Sequence, residues 1–313
     1  MISAAASYAR SMPGISVVLM ALMVAFSIIA PGFATGANLA NILSQASILL
    51  LIALPMTLII MTEGLDLSMG AVLTLAAMTL ALVATATASM VIAVLAALCV
   101  GTTFGVVNGC IVAIGRIPPF VATLGTMGVA QGLALVVTDG QIVVGIPADV
   151  RIAYSGSILG IPVPVLLAAV AYGATHALLY RSRFGGYVVA LGGNREALML
   201  AGLSVRSLLV SSYAITGIYV GLAALLMTAR MNSGHPTAGI GMEFEAIAAV
   251  AIGGTSFARG NGTIFGTLVG VVTVGVLRNG LNLLGVASSL QVAAVGGLVI
   301  VSLLIDGFWS RRP

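Results

Sequence analysis

Long apolar runs, each ended by a short polar or glycine- and proline-containing turn, fill almost the whole chain. The runs are continuous rather than alternating, which predicts helices and not strands. A bilayer core about 30 Å thick takes about 20 apolar residues per helix. On that measure the pattern predicts about ten spans, at residues 14–31, 39–61, 66–87, 90–114, 119–138, 161–180, 207–228, 243–257, 263–284 and 288–306. The 243–257 span is short, and the pattern leaves open whether it crosses or re-enters. Residues 1–313 therefore read as one transmembrane domain, an all-α polytopic membrane protein. Its larger connections are 139–160, 181–206 and 229–242.

Composition sharpens this. The chain is 60% apolar and 6% charged, with mean hydropathy +1.21. Soluble domains carry about 25% charged residues, so a water-soluble globule is excluded. The 39 glycines suit close helix–helix approach in lipid. Cys99 and Cys110 share one apolar stretch and read as small buried side chains, with no disulfide framework or metal site. Arg10 before the apolar run 15–30 resembles a signal-peptide layout. The length of that run and the helices beyond it favour an uncleaved first helix.

All 12 basic residues are Arg, and Lys is absent. A Walker A loop needs a Lys for the phosphates, and a Schiff-base enzyme needs a Lys amine. No cofactor site is expected on this chain; if ATP drives it, another chain binds the ATP. The densest basic cluster is 181–206, with Arg181, Arg183, Arg195 and Arg206 against Glu196. By the positive-inside rule this loop is cytoplasmic, together with Arg10, Arg116, Arg259, Arg311, Arg312 and both termini. The opposite side receives 32–38, 88–89, 139–160, 229–242 and 285–287. Arg151 and Arg230 fall there against Asp139 and Asp149.

Within the basic loop, Gly192 and Gly193 precede Asn194, Arg195, Glu196, Ala197, Leu198, Met199, Leu200, Ala201 and Gly202. Asn194 is a good N-cap, Glu196 suits the positive first turn, and Gly202 suits the position after the helix end. A two-turn amphipathic helix on the cytoplasmic face is a natural docking element. Ala197, Leu200 and Ala201 recur at i, i+3 and i+4, so they share one face. Arg195 and Glu196 flank it.

Pro55 and Gly64 weaken the helix around Glu63 and Asp66, the only charges between Arg10 and Arg116. This stretch reads either as a tight turn in which Asp66 caps the next helix or as a broken helix lining a path. Arg116 to Phe120, with Pro118 and Pro119, is a basic turn with a rigid helix start. His235 has no second ligand at metal spacing, and the glycine-rich stretch from Gly253 to Gly262 lacks a nucleotide loop's Lys. No catalytic constellation appears, so an enzyme is not expected. Gln45, Thr57, Asn108, Gln131, Asn279 and Asn282 are neutral polar residues inside apolar spans. They read as hydrogen-bonded helix contacts or as the lining of a path for a neutral polyhydroxy solute, with Asn108, Asn279 and Asn282 foremost and Gln45 and Thr57 behind them. Asn108-Gly109 and Asn279-Gly280 form a weak echo between the two halves.

Together these segments resemble the permease subunit of ribose/xylose/arabinose-type sugar ABC importers, from about Asn38 to Asp306. The resemblance rests on the turn from Gly64 to Ser68 with Gly70, on Val107-Asn108-Gly109, and on the run from Ile117 to Gly125. It continues through Gly192-Gly193-Asn194, the run from Pro236 to Gly239, that from Ala246 to Val250, that from Ile252 to Ser256, and that from Asn279 to Gly285. His235 stands where the family often has Gln, and Glu63 where a small residue is common. The resemblance implies the type II ABC importer permease fold, similar to the ten-helix cobalamin permease, in a bacterial plasma membrane. It implies a second permease chain, two ABC ATPase subunits and an extracytoplasmic sugar-binding protein, with the path at the dimer axis. The family's coupling helix maps onto 194–202. Related permeases carry branched-chain amino acids or nucleosides, so the solute stays open. An ion-coupled secondary transporter is the other class; it would need carboxylates deep in helices, and here they lie near predicted helix ends.

Overall fold

The computed structural model describes residues 2–255, 260 and 262–309, and side chains over 15–255, 260 and 262–300. Ser256, Arg259, Asn261, Arg311 and Arg312 lie outside the described residues, as do the side chains of Arg10 and Asp306. In chain order the helices are α1 (Ile2–Ile29), α2 (Gly36–Met61), α3 (Met69–Thr87), α4 (Met90–Ala113), α5 (Pro119–Val136) and α6 (Ala148–Ser155). A small hairpin of β1 (Ser157–Ile158) and β2 (Ile161–Pro162) follows. Then come α7 (Val163–Arg181), α8 (Arg183–Gly193), α9 (Arg195–Leu200), α10 (Val205–Met231), α11 (Met242–Ile252), α12 (Ile264–Leu283) and α13 (Ser288–Trp309).

The chain is thus an all-α polytopic membrane protein. Among the described residues, α2, α3, α4, α5, α7, α10 and α12 are long and apolar enough to cross a bilayer. Each of the ten spans expected from the sequence overlaps a helix, and seven of those helices are the long apolar ones. The remaining three are α1 and α13, with apolar stretches Ile15–Ile29 and Ser288–Ile300, and the 11-residue α11. Helices α6 and α8 were not anticipated. They are short, and α8 lies inside the basic loop, where no long apolar run marks it.

Helix α2 is the hub: every residue from Ala46 to Met61 is buried, including Pro55. Around it pack α7, α10, α11 and α12. Lipid supplies no hydrophobic drive between helices, so van der Waals fit decides the pairing. Gly101, Gly105 and Gly109 of α4 meet the α10 backbone at Gly217, Tyr213 and Val210. That spacing keeps one bare stripe on α4 against α10. Helices α4, α5 and α7 leave many large apolar side chains exposed, among them Val91, Leu95, Phe120, Val129 and Val170.

Two non-helical stretches enter the bundle. In the first, α2 ends with Glu63 at φ 59° and Gly64 N donating to the Ile59 carbonyl at 3.0 Å. The chain then runs without regular structure to Ser68, which delays α3 to Met69. The second stretch, 232–241, was read as a loop. It runs down the side of α3: Gly234 lies by Ala81 and Met78, and Gly239 N donates to Thr74 Oγ1 at 2.9 Å. A Cβ on Gly70 would overlap the Gly239 carbonyl. Residues 70 to 81 of α3 span about 16 Å, so non-helical backbone descends well into the bundle. Such backbone is tolerated at membrane depth only where protein or water satisfies it. Here Thr74 does so, and Gln131 Nε2 donates to the Pro236 carbonyl at 2.9 Å.

Candidate functional site

Helix α9 forms as its local sequence demands. Asn194 is extended (φ −161°, ψ 99°), and its Oδ1 accepts from Ala197 N at 2.9 Å. Glu196 lies in the first turn, and Gly202 ends the motif at φ +77°. Leu198 is the buried anchor, a role the sequence pattern did not single out. Ala197 and Ala201 are exposed, and Leu200 is 90% exposed, so the expected face carries an open apolar side chain. Gly192 is buried because a side chain there would overlap the Met61 carbonyl and press on Gly260; Gly193 is open. The α8–α9 unit is thereby seated on the end of the hub helix.

Between α9, the α4–α5 turn and the 62–68 linker lies a cavity of about 720 Å³, lined in part by Glu63, Arg116, Arg195, Met199, Arg206 and Tyr213. Above it, the linker is held by a directed chain of hydrogen bonds. Thr126 Oγ1 donates to Asn108 Oδ1 (2.7 Å), Asn108 Nδ2 to Ser68 Oγ (2.8 Å), and Ser68 Oγ to Asp66 Oδ1 (2.6 Å). Ser68 N also donates to Asp66 Oδ1 at 2.9 Å. Thr123 Oγ1 accepts from Leu67 N, and Tyr213 OH donates to the Leu65 carbonyl at 3.4 Å. So Asp66 anchors the linker to α4 and α5 and does not cap α3, whose N-cap is Ser68 with no side-chain cap hydrogen bond. No group of three or more metal-ligating side chains occurs among the described residues.

An α-helical bundle with non-helical stretches entering it is a geometry that transporters use. Residues 38–303 match the family described as the branched-chain amino acid transport system / permease component. The chain belongs to that family. It is 40% identical over 299 residues to the ribose import permease protein RbsC of Escherichia coli K12, covering 93% of this chain and 92% of that one. It is 36% identical over 280 residues to the D-allose transport system permease protein AlsC of the same organism (89% and 86% covered). It is 31% identical over 295 residues to the L-arabinose ABC transporter permease protein AraH of Azospirillum brasilense (94% and 87% covered). No solved structure matches.

The permease distributes the other candidate residues unevenly. Asn108 is buried in the network above. Asn279 is buried in a reciprocal amide pair: Asn38 Nδ2 donates to Asn279 Oδ1 at 2.8 Å, and Asn279 Nδ2 donates back at 2.9 Å. Thr57 is fully buried and shares a 2.6 Å hydrogen bond with Thr267. Asn282 is exposed, and Gln45 is half-buried. Gln45 Nε2 donates to Asn41 Oδ1 at 3.0 Å, and its Oε1 accepts from Arg230 Nη2 at 3.1 Å.

Besides Arg230, which the sequence places on the outer side, two charged residues that sequence reasoning left aside sit on helices packed against α2. Arg278 Nη2 and Glu245 Oε1 form an ion pair at 2.7 Å, and Arg230 reaches Gln45. Arg230 also acts on Tyr154 in α6, whose phenol is pushed up by burial and drawn down by that guanidinium. The available signal was charge inside apolar spans, which is costly and hence informative. Glu243, one turn-start away, is buried at 2% exposure with Oε2 lacking a hydrogen-bond partner in the chain.

Proposed function

We propose that the permease is the membrane subunit of an ATP-driven ABC importer that carries a monosaccharide into the cytoplasm. The observation that carries this reading is 40% identity to a ribose import permease over nearly the full length of both chains. Allose and arabinose permeases among the relatives support a pentose or hexose. In this reading α1, α11 and α13 join the seven long helices as the ten of a type II importer permease. Both termini and the 181–206 loop face the cytoplasm of a bacterial plasma membrane.

The chain pairs with a second permease chain, two ABC ATPase subunits and an extracytoplasmic sugar-binding protein. It is not itself an enzyme and holds no cofactor; the ATPase binds the ATP. The absence of Lys supports that division of labour. Gly192, Gly193 and Asn194 shape the entry to the coupling helix, Glu196 and Gly202 bound it, and Ala197, Leu200 and Ala201 face the ATPase. The exposed Leu200 supports this face. Along the path, Asn282 and Gln45 face the solute, while Asn108, Asn279 and Thr57 hold the helices beside it.

Reconstitution with a cognate ABC ATPase and sugar-binding protein tests the reading. D-ribose, D-allose, L-arabinose and L-leucine are offered separately to proteoliposomes. ATP-dependent uptake of a sugar is the expected result. Uptake of leucine alone would move the protein to the amino-acid branch, and uptake without ATP would make it a secondary transporter.

A further inference from the structure

Asn41 and Gln45 of α2, Arg230 of α10, Glu245 of α11 and Arg278 of α12 come from four separate helices. They form a belt around α2: Gln45 bridges Asn41 and Arg230, and Glu245 holds Arg278 on the helices packed beside α2. Gln45 stands nine residues into α2, counted from Gly36, or about 13 Å along the helix. Arg278 stands five residues before the end of α12 at Leu283. The belt also borders the unwound stretch 232–241 and the start of α11.

Two features set the belt apart from helix glue. First, it is open: Arg230 and Asn41 are exposed, and the Arg278–Glu245 side chains are 35% and 17% exposed. The pair is also incompletely served: Arg278 Nε is buried without a hydrogen-bond partner among the described residues, which leaves a donor for a ligand. Second, an Arg near a helix end ordinarily reaches out to the interface. Arg230 is the penultimate residue of α10, yet its guanidinium lies on Gln45.

We propose that this belt is a sugar-contact station within the permease, where a monosaccharide released by the binding protein is held before it moves inward. The inference rests on the sugar-import reading above. Two guanidinium groups, a carboxylate and two amides are planar donors and acceptors that match adjacent hydroxyls in pairs. Without solute they satisfy one another except at Arg278 Nε, which is buried without a partner among the described residues. A sugar exchanges those bonds for its own at small net cost, which gives the weak binding an importer needs. Broken helices beside such a station are where transporters build solute sites.

The test uses the reconstituted complex and radiolabelled D-ribose, D-allose and L-arabinose, and reads sugar moved per ATP hydrolysed. Glu245→Leu combined with Arg278→Met removes the pair without orphaning either charge. Gln45→Leu is a milder second variant, and Arg151→Gln, in α6 outside the belt, controls for lost positive charge. Both belt variants are expected to retain the ATPase and its stimulation by loaded binding protein. The double variant should lose about tenfold in sugar per ATP, the worth of one charge-assisted hydrogen bond. The control should match wild type. Wild-type ratios in both belt variants would overturn the station while leaving the functional reading intact. So would equal losses of ATPase stimulation and uptake, since the belt would then be structural. A wild-type complex that moves none of the three sugars would overturn both.

Discussion

Gly70 and Gly239 meet backbone to backbone, at the point where both unwound stretches of the chain reach the same depth. A side chain on Gly70 would overlap the Gly239 carbonyl and Glu243 Oε2, and one on Gly239 would overlap the Gly70 carbonyl. The contact ties the start of α3 to the start of α11, and through α3 to the linker beside the 62–68 cavity.

Gly70→Ala is therefore expected to destabilise the purified permease by about 1–3 kcal/mol, the usual cost of overpacking. Gly125→Ala is the comparison, because no atom lies within 4 Å of a Cβ there and α5 is helical throughout. It should hold or raise stability, since Ala is the better helix former. Thermal denaturation in detergent, followed by circular dichroism, distinguishes them. Equal losses would mean the crossing is not tightly packed.

The Asn38–Asn279 pair predicts a thermodynamic cycle. Asn279→Leu should cost about 1–3 kcal/mol, because it leaves the Asn38 amide facing an apolar partner. Adding Asn38→Leu should cost less than its effect alone, with a coupling of about 1 kcal/mol. Strict additivity would show that the two amides do not interact in the membrane.

Docking at α9 predicts a loss of assembly without a loss of fold. Ala197→Arg and Ala201→Glu place charges on an exposed face and should leave expression and thermal stability unchanged. Against a partner surface each unpaired charge costs about 3 kcal/mol or more. Co-purification of the ATPase should fail for both variants. Normal retention and normal uptake would put the docking face elsewhere.

Topology is tested by cysteine labelling after replacement of Cys99 and Cys110. Ser155→Cys, at the end of α6, should react with an impermeant thiol reagent in intact cells. Ser182→Cys, between α7 and α8, should react only after the membrane is opened. Labelling of Ser182→Cys from outside would invert the orientation.

The sequence by itself determined what depends on near neighbours. Continuous apolar runs require helices, because lipid leaves the backbone no other partner. The caps of α9 were legible because Asn194 and Ala197 are three residues apart. The transporter class was legible from the ordered segments and the absent Lys. Tertiary structure alone decided which polar residues meet. Asn38 and Asn279 are 241 residues apart, and Asn108 reaches Ser68 across 40. Lipid-facing and buried faces are equally apolar, so no periodicity marks which side of a membrane helix turns inward. For the same reason the burial of Asn108 and the half-buried position of Gln45 could not be told apart in the sequence. The descent of 232–241 into the bundle was hidden too: glycines and polar residues look like a surface loop until Thr74 and Gln131 are seen to satisfy their backbone.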